Sequence, residues 1–252
     1  MVPGIDSFRE AFSRYSEQYA IIGGTACDLL MNNENMEFRA TKDLDIVLIV
    51  EALTPEFVSR FWDYVKEAGY EHKNKSTGDV EFYRFSNPKS KVYPKMIELF
   101  SRKPDKIKLP DGALLTPLPI DDELSSLSAI LLNDEYYNFL RSGMTVIDGV
   151  SILDTTHIIP FKAKAWLDLS YRKQQGVQVD SKSINKHKRD VFRLAVLLRE
   201  DQRVYASSEV FKDINNFIES MEDEEVNLKD LGIYNLTKED VIELLQKVYI
   251  EI

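Results

Sequence analysis

Polar and apolar residues change their spacing several times along this chain of 252 residues, and each change marks a predicted element. Residues 6–17 read as a helix. QYAII (Gln18 to Ile22) reads as a short strand that ends at Gly23-Gly24, and TACDLLM resumes a helical pattern. After a polar loop, LDIVLIV (Leu44 to Val50) is a continuous apolar, β-branched run, the pattern of a strand covered on both faces. Thr54-Pro55 opens a helix, with threonine as the cap and proline at the first helical position. It carries Phe57, Phe61, Trp62 and Val65 and stops near Gly69. DVEFYRF and VYPKMIELF follow as strands, so the predicted order is α-β-α-β-α-β-β: an α/β architecture in which a mixed sheet is flanked by helices.

Pro104, Pro110, Pro117 and Pro119 then punctuate the chain, with Asp111-Gly112 among them, and mark a linker. They divide an N-terminal domain, residues 1–116, from a mainly helical C-terminal domain, residues 117–252. In the second part, DDELSSLSAILLNDEYYNFLR is predicted as one helix. TVIDGVSIL reads as a hairpin turning at Asp148-Gly149. From Ile159 the pattern is helical to the end, and Thr237 with Asp240 forms a capping-box-like start to the last helix.

Composition narrows the class of protein. With 44% hydrophobic and 29% charged residues, the chain reads as an ordinary globular protein. MVPGIDSFREAF lacks a basic region followed by an apolar one, and no apolar run reaches the roughly 20 residues needed to cross a bilayer. No membrane association is therefore expected. The single cysteine, Cys27, rules out an internal disulfide framework and fits a reducing, cytoplasmic setting, with packed core as its expected place. With three histidines beside it, a structural zinc site is not expected either. The net charge of −10 conceals an uneven spread: 160–193 is basic by about six charges, 71–108 by about five, and 219–252 is acidic by about seven.

The candidate chemistry lies between Ile21 and Val50. Asp43 and Asp45 are two residues apart at the mouth of the most apolar strand, so their side chains share a face with Cα atoms roughly 6.5–7 Å apart. Unaccompanied, two such carboxylates repel; a hard cation such as Mg²⁺, arriving with substrate phosphates, relieves the repulsion. Gly23 and Gly24, at a strand-to-helix turn, would let backbone N–H groups approach a phosphate, and the hydroxyl of Thr25 would add a donor. A third carboxylate completes such a shell. Glu98, inside the apolar KMIELF, is the favoured candidate over Glu81. Two metal ions held by Asp43, Asp45 and Glu98 are the expected centre.

IIGGTACDLL…FRATKDLDIVL resembles the motif of the DNA-polymerase-β-type nucleotidyltransferases, and more specifically the AbiEii-type, toxin-like branch. In that branch a GG-x-A turn precedes R-x-T-x-D-x-D. Gly23, Gly24, Ala26, Arg39, Thr41, Asp43 and Asp45 occupy those positions. DGVSILDTTHIIPFKAKAW resembles the family's hairpin leading into a lysine-bearing helix, with Lys162 at the matching place. KHKRDVFRL resembles its Lys-Asp-x-x-Asp helix at Lys186 and Asp190, with His187 where the family has aspartate; a register through Arg189-Asp190 loses the second aspartate instead. The resemblance spans roughly Tyr19 to Leu198. It implies an NTP substrate held by Lys162, Lys186 and Asp190 together with the glycine turn, and an RNA or tRNA end as acceptor. It also implies a cognate antitoxin protein as partner. A protein hydroxyl or an aminoglycoside are the other acceptors considered. A non-catalytic nucleotide-binding or interaction module would be expected to lack one of the carboxylates, and all three candidates are present. Read without the resemblance, Lys162 and Lys164 would form a solvated lysine face, Arg39 would be a structural partner of Asp43 or Asp45, and Asp190 would pair with Lys186.

Overall fold

The computed structural model describes residues 2–72, 82–101, 130–131 and 133–252. The expected linker, the 116/117 junction and Glu81 lie outside them. The chain divides into two units, one comprising Met1–Ile120 with Met144–Asp154, the other Asp121–Gly143 with Thr155–Ile252.

The first unit is a mixed α/β structure. Among the described residues its strands are β1 (Tyr19–Ile22), β2 (Asp43–Leu48), β3 (Glu71–His72), β4 (Phe82–Ser86), β5 (Met96–Phe100), β6 (Met144–Ile147) and β7 (Val150–Leu153). They form one sheet in the order β3-β4-β5-β2-β1-β7-β6. β2 and β5 are parallel, as are β1 and β7, and the remaining pairs are antiparallel. Every residue of β1 is buried, and so are Leu44, Ile46, Val47 and Leu48 of β2, as expected of a strand covered on both faces.

Helices α1 (Ile5–Phe12), α2 (Gly23–Asn33) and α3 (Pro55–Ala68) complete this unit. The helix expected over 6–17 ends at Phe12 and tightens into a 3-10 turn, Ser13–Tyr15. α3 follows its local signals. The Thr54 hydroxyl accepts from the Phe57 N–H, Pro55 occupies the first turn, and Gly69 ends the helix at φ 64°. Packing is largely aromatic: Phe8 meets Tyr19 edge-on at 5.4 Å, and Phe12 lies 5.6 Å from Phe57 and 5.3 Å from Tyr64.

The hairpin β6-β7 turns at Asp148 (φ 50°) and Gly149 (φ 76°), as its sequence predicts. Its place differs from the expected division, because β7 pairs with β1 and closes the first unit's sheet. A single cut between 116 and 117 does not describe the chain, since residues 144–154 return to the first unit.

The second unit is mainly helical, with α4 (Asp134–Ser142), α5 (Thr155–Gln174), α6 (Ser181–Ala195), α7 (Ser208–Ser220) and α8 (Lys238–Val248). The single long helix expected over 121–141 is interrupted. Asn133 is extended and its side chain accepts from the N–H groups of Glu135 and Tyr136, so a new helix starts there. The prediction of helix to the end is also incomplete. β8 (Val204–Ala206) and β9 (Tyr249–Glu251) form a short parallel pair. The capping box at Thr237 and Asp240 is present. Among the described residues no helix is long and apolar enough to cross a membrane.

Pro160 sits inside α5 and has no N–H to give the carbonyl of Thr156, four residues back. The Tyr249 hydroxyl donates to that carbonyl instead, at 2.7 Å. The last strand thus completes a helix that begins almost a hundred residues earlier.

Candidate active site

β1 runs directly into α2 without an intervening loop, and the residue that makes the corner is Gly23, at φ +68°. A Cβ on Gly23 would fall 1.8 Å from Oδ2 of Asp45, so the carboxylate lies in the space that a side chain here would occupy. Gly24 is covered in the same way by the loop before β2. A Cβ there would meet the Thr41 hydroxyl at 2.7 Å and an Nη2 of Arg39 at 3.4 Å. Arg39 in turn lies over the Phe38 ring, 5.2 Å from its centroid. The spacing G-G…R-x-T-x-D-x-D therefore has a steric reason. The R-x-T segment folds over the second glycine and delivers the second aspartate to the first.

Thr25 is fully buried, and its hydroxyl donates to the backbone carbonyl of Asp43 at 2.6 Å. The expected phosphate donor is thus committed elsewhere: Thr25 ties α2 to the first residue of β2 and fixes where Asp43 begins. Cys27 is buried as expected, and its thiol lies 3.1 Å from the Gly23 carbonyl, which it donates to.

Glu98 is directly across from Asp45 in the parallel β2-β5 pair, and Asp43 is across from Met96. The Glu98 carboxyl is buried, and its pKa is pushed up to about 8, first by burial and then by the charge of Asp45, with which it also shares a hydrogen bond. Arg84 opposes that rise. It faces Glu98 from β4 and donates to Oε1 through Nε at 2.8 Å, with Nη2 2.6 Å from the same oxygen. Arg84 was not singled out by the sequence. Its link to Glu98 depends on the pairing of β4 with β5, and no short-range pattern announces it.

The donors on this face are carboxylate oxygens, the kind that a hard divalent cation takes, and the repulsion that raises Glu98 is the kind that a cation relieves. In chemistry the residues fit Mg²⁺. Among the described residues, however, no three His, Cys, Asp or Glu side chains are gathered closely enough to hold an ion. The contact that the structure forms is the Asp45–Glu98 pair, rather than the expected three-carboxylate shell.

Lys162, Lys186 and Asp190 belong to the second unit. Lys162 is buried on α5 and forms an ion pair with fully buried Asp190 of α6, at 3.3 Å, and Arg193 approaches the same carboxylate at 3.8 Å. Two residues singled out separately, on different helices, thus meet. Neither a solvated lysine face nor a local contact within α6 describes them. Lys164, half-buried, lies 3.4 Å from Asp168 and 3.2 Å from Asp213. Lys186 is half-buried on α6.

No family model matches this chain, and no curated protein matches its sequence. Among solved structures it is similar to an antigenic nucleotidyltransferase-like protein from Paracoccidioides brasiliensis. The two are 16% identical with a TM-score of 0.49, over 98% of this chain and 95% of that one.

Proposed function

We propose that this protein is a metal-dependent nucleotidyltransferase that moves an NMP from an NTP to an acceptor hydroxyl. The observation that carries the reading is the carboxylate face. Asp43 and Asp45 stand two residues apart at the head of β2, Asp45 rests against the first residue of α2, and Glu98 faces Asp45 from β5. Asp43, Asp45 and Glu98 would be the protein's ligands for a Mg²⁺ that arrives on the triphosphate, whose phosphate oxygens would supply the ligands that the carboxylates do not assemble by themselves, and the ion would make the α-phosphorus more electrophilic. The chain's own groups supply the rest. The N-terminus of α2, at Gly23, would turn the positive end of the helix dipole toward the carboxylates and the phosphates that they draw in. Glu98, brought to its charged form when a cation relieves the repulsion from Asp45, would take the proton from the acceptor hydroxyl. The acceptor oxygen bonds to the α-phosphorus, the bond to the bridging oxygen breaks, and pyrophosphate leaves.

The contribution of Lys162, Lys186 and Asp190 to nucleotide binding rests on the family resemblance alone. So do the AbiEii-type assignment and a toxin role restrained by an antitoxin protein, while an RNA or tRNA end as acceptor also draws on the basic stretches 71–108 and 160–193. The test is incubation with Mg²⁺, each labelled NTP, and a mixture of tRNA, protein and aminoglycoside acceptors. Label on RNA with pyrophosphate release, both abolished by Asp45→Ala, is the expected result. Label on a protein or an aminoglycoside would keep the reaction and change the acceptor. No transfer and no pyrophosphate with any NTP would leave a nucleotide-binding module as the better account.

A further inference from the structure

We infer that the outer face of α6, with the groove beside it, is a docking surface for single-stranded RNA: the helix takes the phosphates and the groove takes an unstacked base. The inference rests on the RNA-acceptor reading above for its purpose, and on binding alone for its test.

α6 divides its residues between two sides. Ile184, Lys188, Val191 and Ala195, at i, i+4, i+7 and i+11, are buried. Lys182, Lys186, Arg189 and Arg193 repeat that spacing two residues earlier. They therefore lie on the opposite side, in a basic stripe about 16 Å long. Lys182 and Arg189 are exposed, Lys186 is half-buried, and Arg193 leans on Asp190. Asp190, the helix's single acid, is fully buried, and its buried lysine, Lys188, is neutralised by Glu224. Lys182 and Arg189 have no ion-pair partner among the described residues.

A helix face that serves only to be solvated ordinarily mixes its signs, and this one does not. Lys182 and Lys186 stand four residues apart, as do Arg189 and Arg193, and each such like-charged pair weakens the helix. Lys182 also sits in the first turn, where the helix dipole disfavours a cation. A row of phosphates laid along the stripe would relieve both costs. Charge complementarity thus makes the backbone of the occupant a polyanion.

The groove says what the polyanion carries. Asn185 stands beside the stripe and borders a groove of about 430 Å³ between α5 and α6. Trp166 and Ile184, both buried, give it an apolar lining. Ser170, Gln174 and Asn185 bring a hydroxyl and two amides, and none of these side chains has a hydrogen bond among the described residues. Lys173 adds a charge, its ammonium 2.7 Å from the Ser181 hydroxyl. Glu224, the groove's one carboxylate, is the partner of Lys188. Amides pair with the edges of bases, and hydroxyls and amides pair with the 2′-hydroxyl that DNA lacks. A base enters such a groove only when it is unpaired and unstacked, so the strand is single.

The test is fluorescence anisotropy of labelled single-stranded RNA on the full chain, over a series of KCl concentrations and without nucleotide. The wild type should bind, with affinity that falls as salt rises. Each phosphate contact on a single strand adds about 0.7 to the slope of log affinity against log salt. Lys182→Gln with Arg189→Gln should therefore lower the slope by about 1.4, for every sequence alike. Gln174→Ala with Asn185→Ala should leave the slope alone and change the order in which poly(A), poly(C) and poly(U) bind. Lys229→Ala, at an exposed lysine elsewhere in the unit, should change neither. Residues 174, 182, 185 and 189 are all exposed, so these variants should melt no lower than the parent. No binding by the wild type, a slope unmoved by the stripe variant, or an order unmoved by the groove variant overturns the inference. Equal affinity for DNA of the same sequence, for duplex RNA or for heparin also overturns it, because the surface would then read charge alone. RNA binding through the stripe with no label transferred from any NTP keeps the inference and removes the enzyme reading. Transfer to RNA that the stripe and groove variants leave unchanged keeps the enzyme reading and removes the inference.

Discussion

A methyl group on residue 23 would have to occupy space that Asp45 already fills, and it would have to do so at a backbone angle that side chains avoid. Gly23→Ala is therefore expected to cost about 1–3 kcal/mol of stability in urea unfolding and, under the proposed function, to remove nucleotidyl transfer by dislodging Asp45. Gly24→Ala should be milder, because the Thr41 hydroxyl it meets can rotate aside. Thr25→Val removes the hydrogen bond to the Asp43 carbonyl while keeping the shape, and should cost on the order of 1 kcal/mol. Glu98 gives a dependence on pH. Its pKa rises from 4.5 to about 8 on folding, so the folded chain keeps a proton that the unfolded chain loses above pH 4.5. The stability from this group is whole below pH 4.5 and declines as pH climbs toward 8. Urea midpoints measured across that range should fall in the wild type and flatten in Glu98→Gln. The Asp43-x-Asp45 pair and the Gly23-Gly24 corner were each legible in the sequence because each is a local pattern of two or three residues. The partners of Glu98 and Lys162 were not, because Arg84 reaches Glu98 across two strands and Asp190 reaches Lys162 across two helices.

Among elements, the same contrast separates local signals from distant ones. The Thr54-Pro55 start, the Asp148-Gly149 turn and the Thr237–Asp240 box each satisfy backbone groups within a few residues, and each stands where the sequence places it. Asn133 shows the limit. It interrupts an apolar pattern that continues on both sides, and only its side-chain bonds to the two following N–H groups reveal a helix start. α5 shows another. Nothing near Pro160 announces that its missing donor is replaced by Tyr249. Tyr249→Phe should cost about 1–2 kcal/mol by leaving the Thr156 carbonyl without that donor. In a Pro160→Ala background, where the helix regains its own N–H, the same change should cost less, and thermal melts of the four variants measure the difference.

For the molecule as a whole, the fold class was legible and the division of the chain was not. Alternating strands and helices announce a mixed sheet, but no local pattern tells a hairpin which sheet to join. Because β7 covers the edge of β1, a fragment of residues 1–120 lacks two strands and exposes β1's backbone groups. Such a fragment should show no cooperative unfolding transition by circular dichroism and should associate in size-exclusion chromatography.

The returning hairpin also sets a schedule for synthesis. Chains emerge from the ribosome in order and domains usually fold as they appear. Here the first sheet cannot close until residue 153 has left the exit tunnel, by which time α4 of the other unit is already out. For that interval the nascent protein carries an open sheet edge beside the carboxylates, so its candidate active site is finished late rather than first.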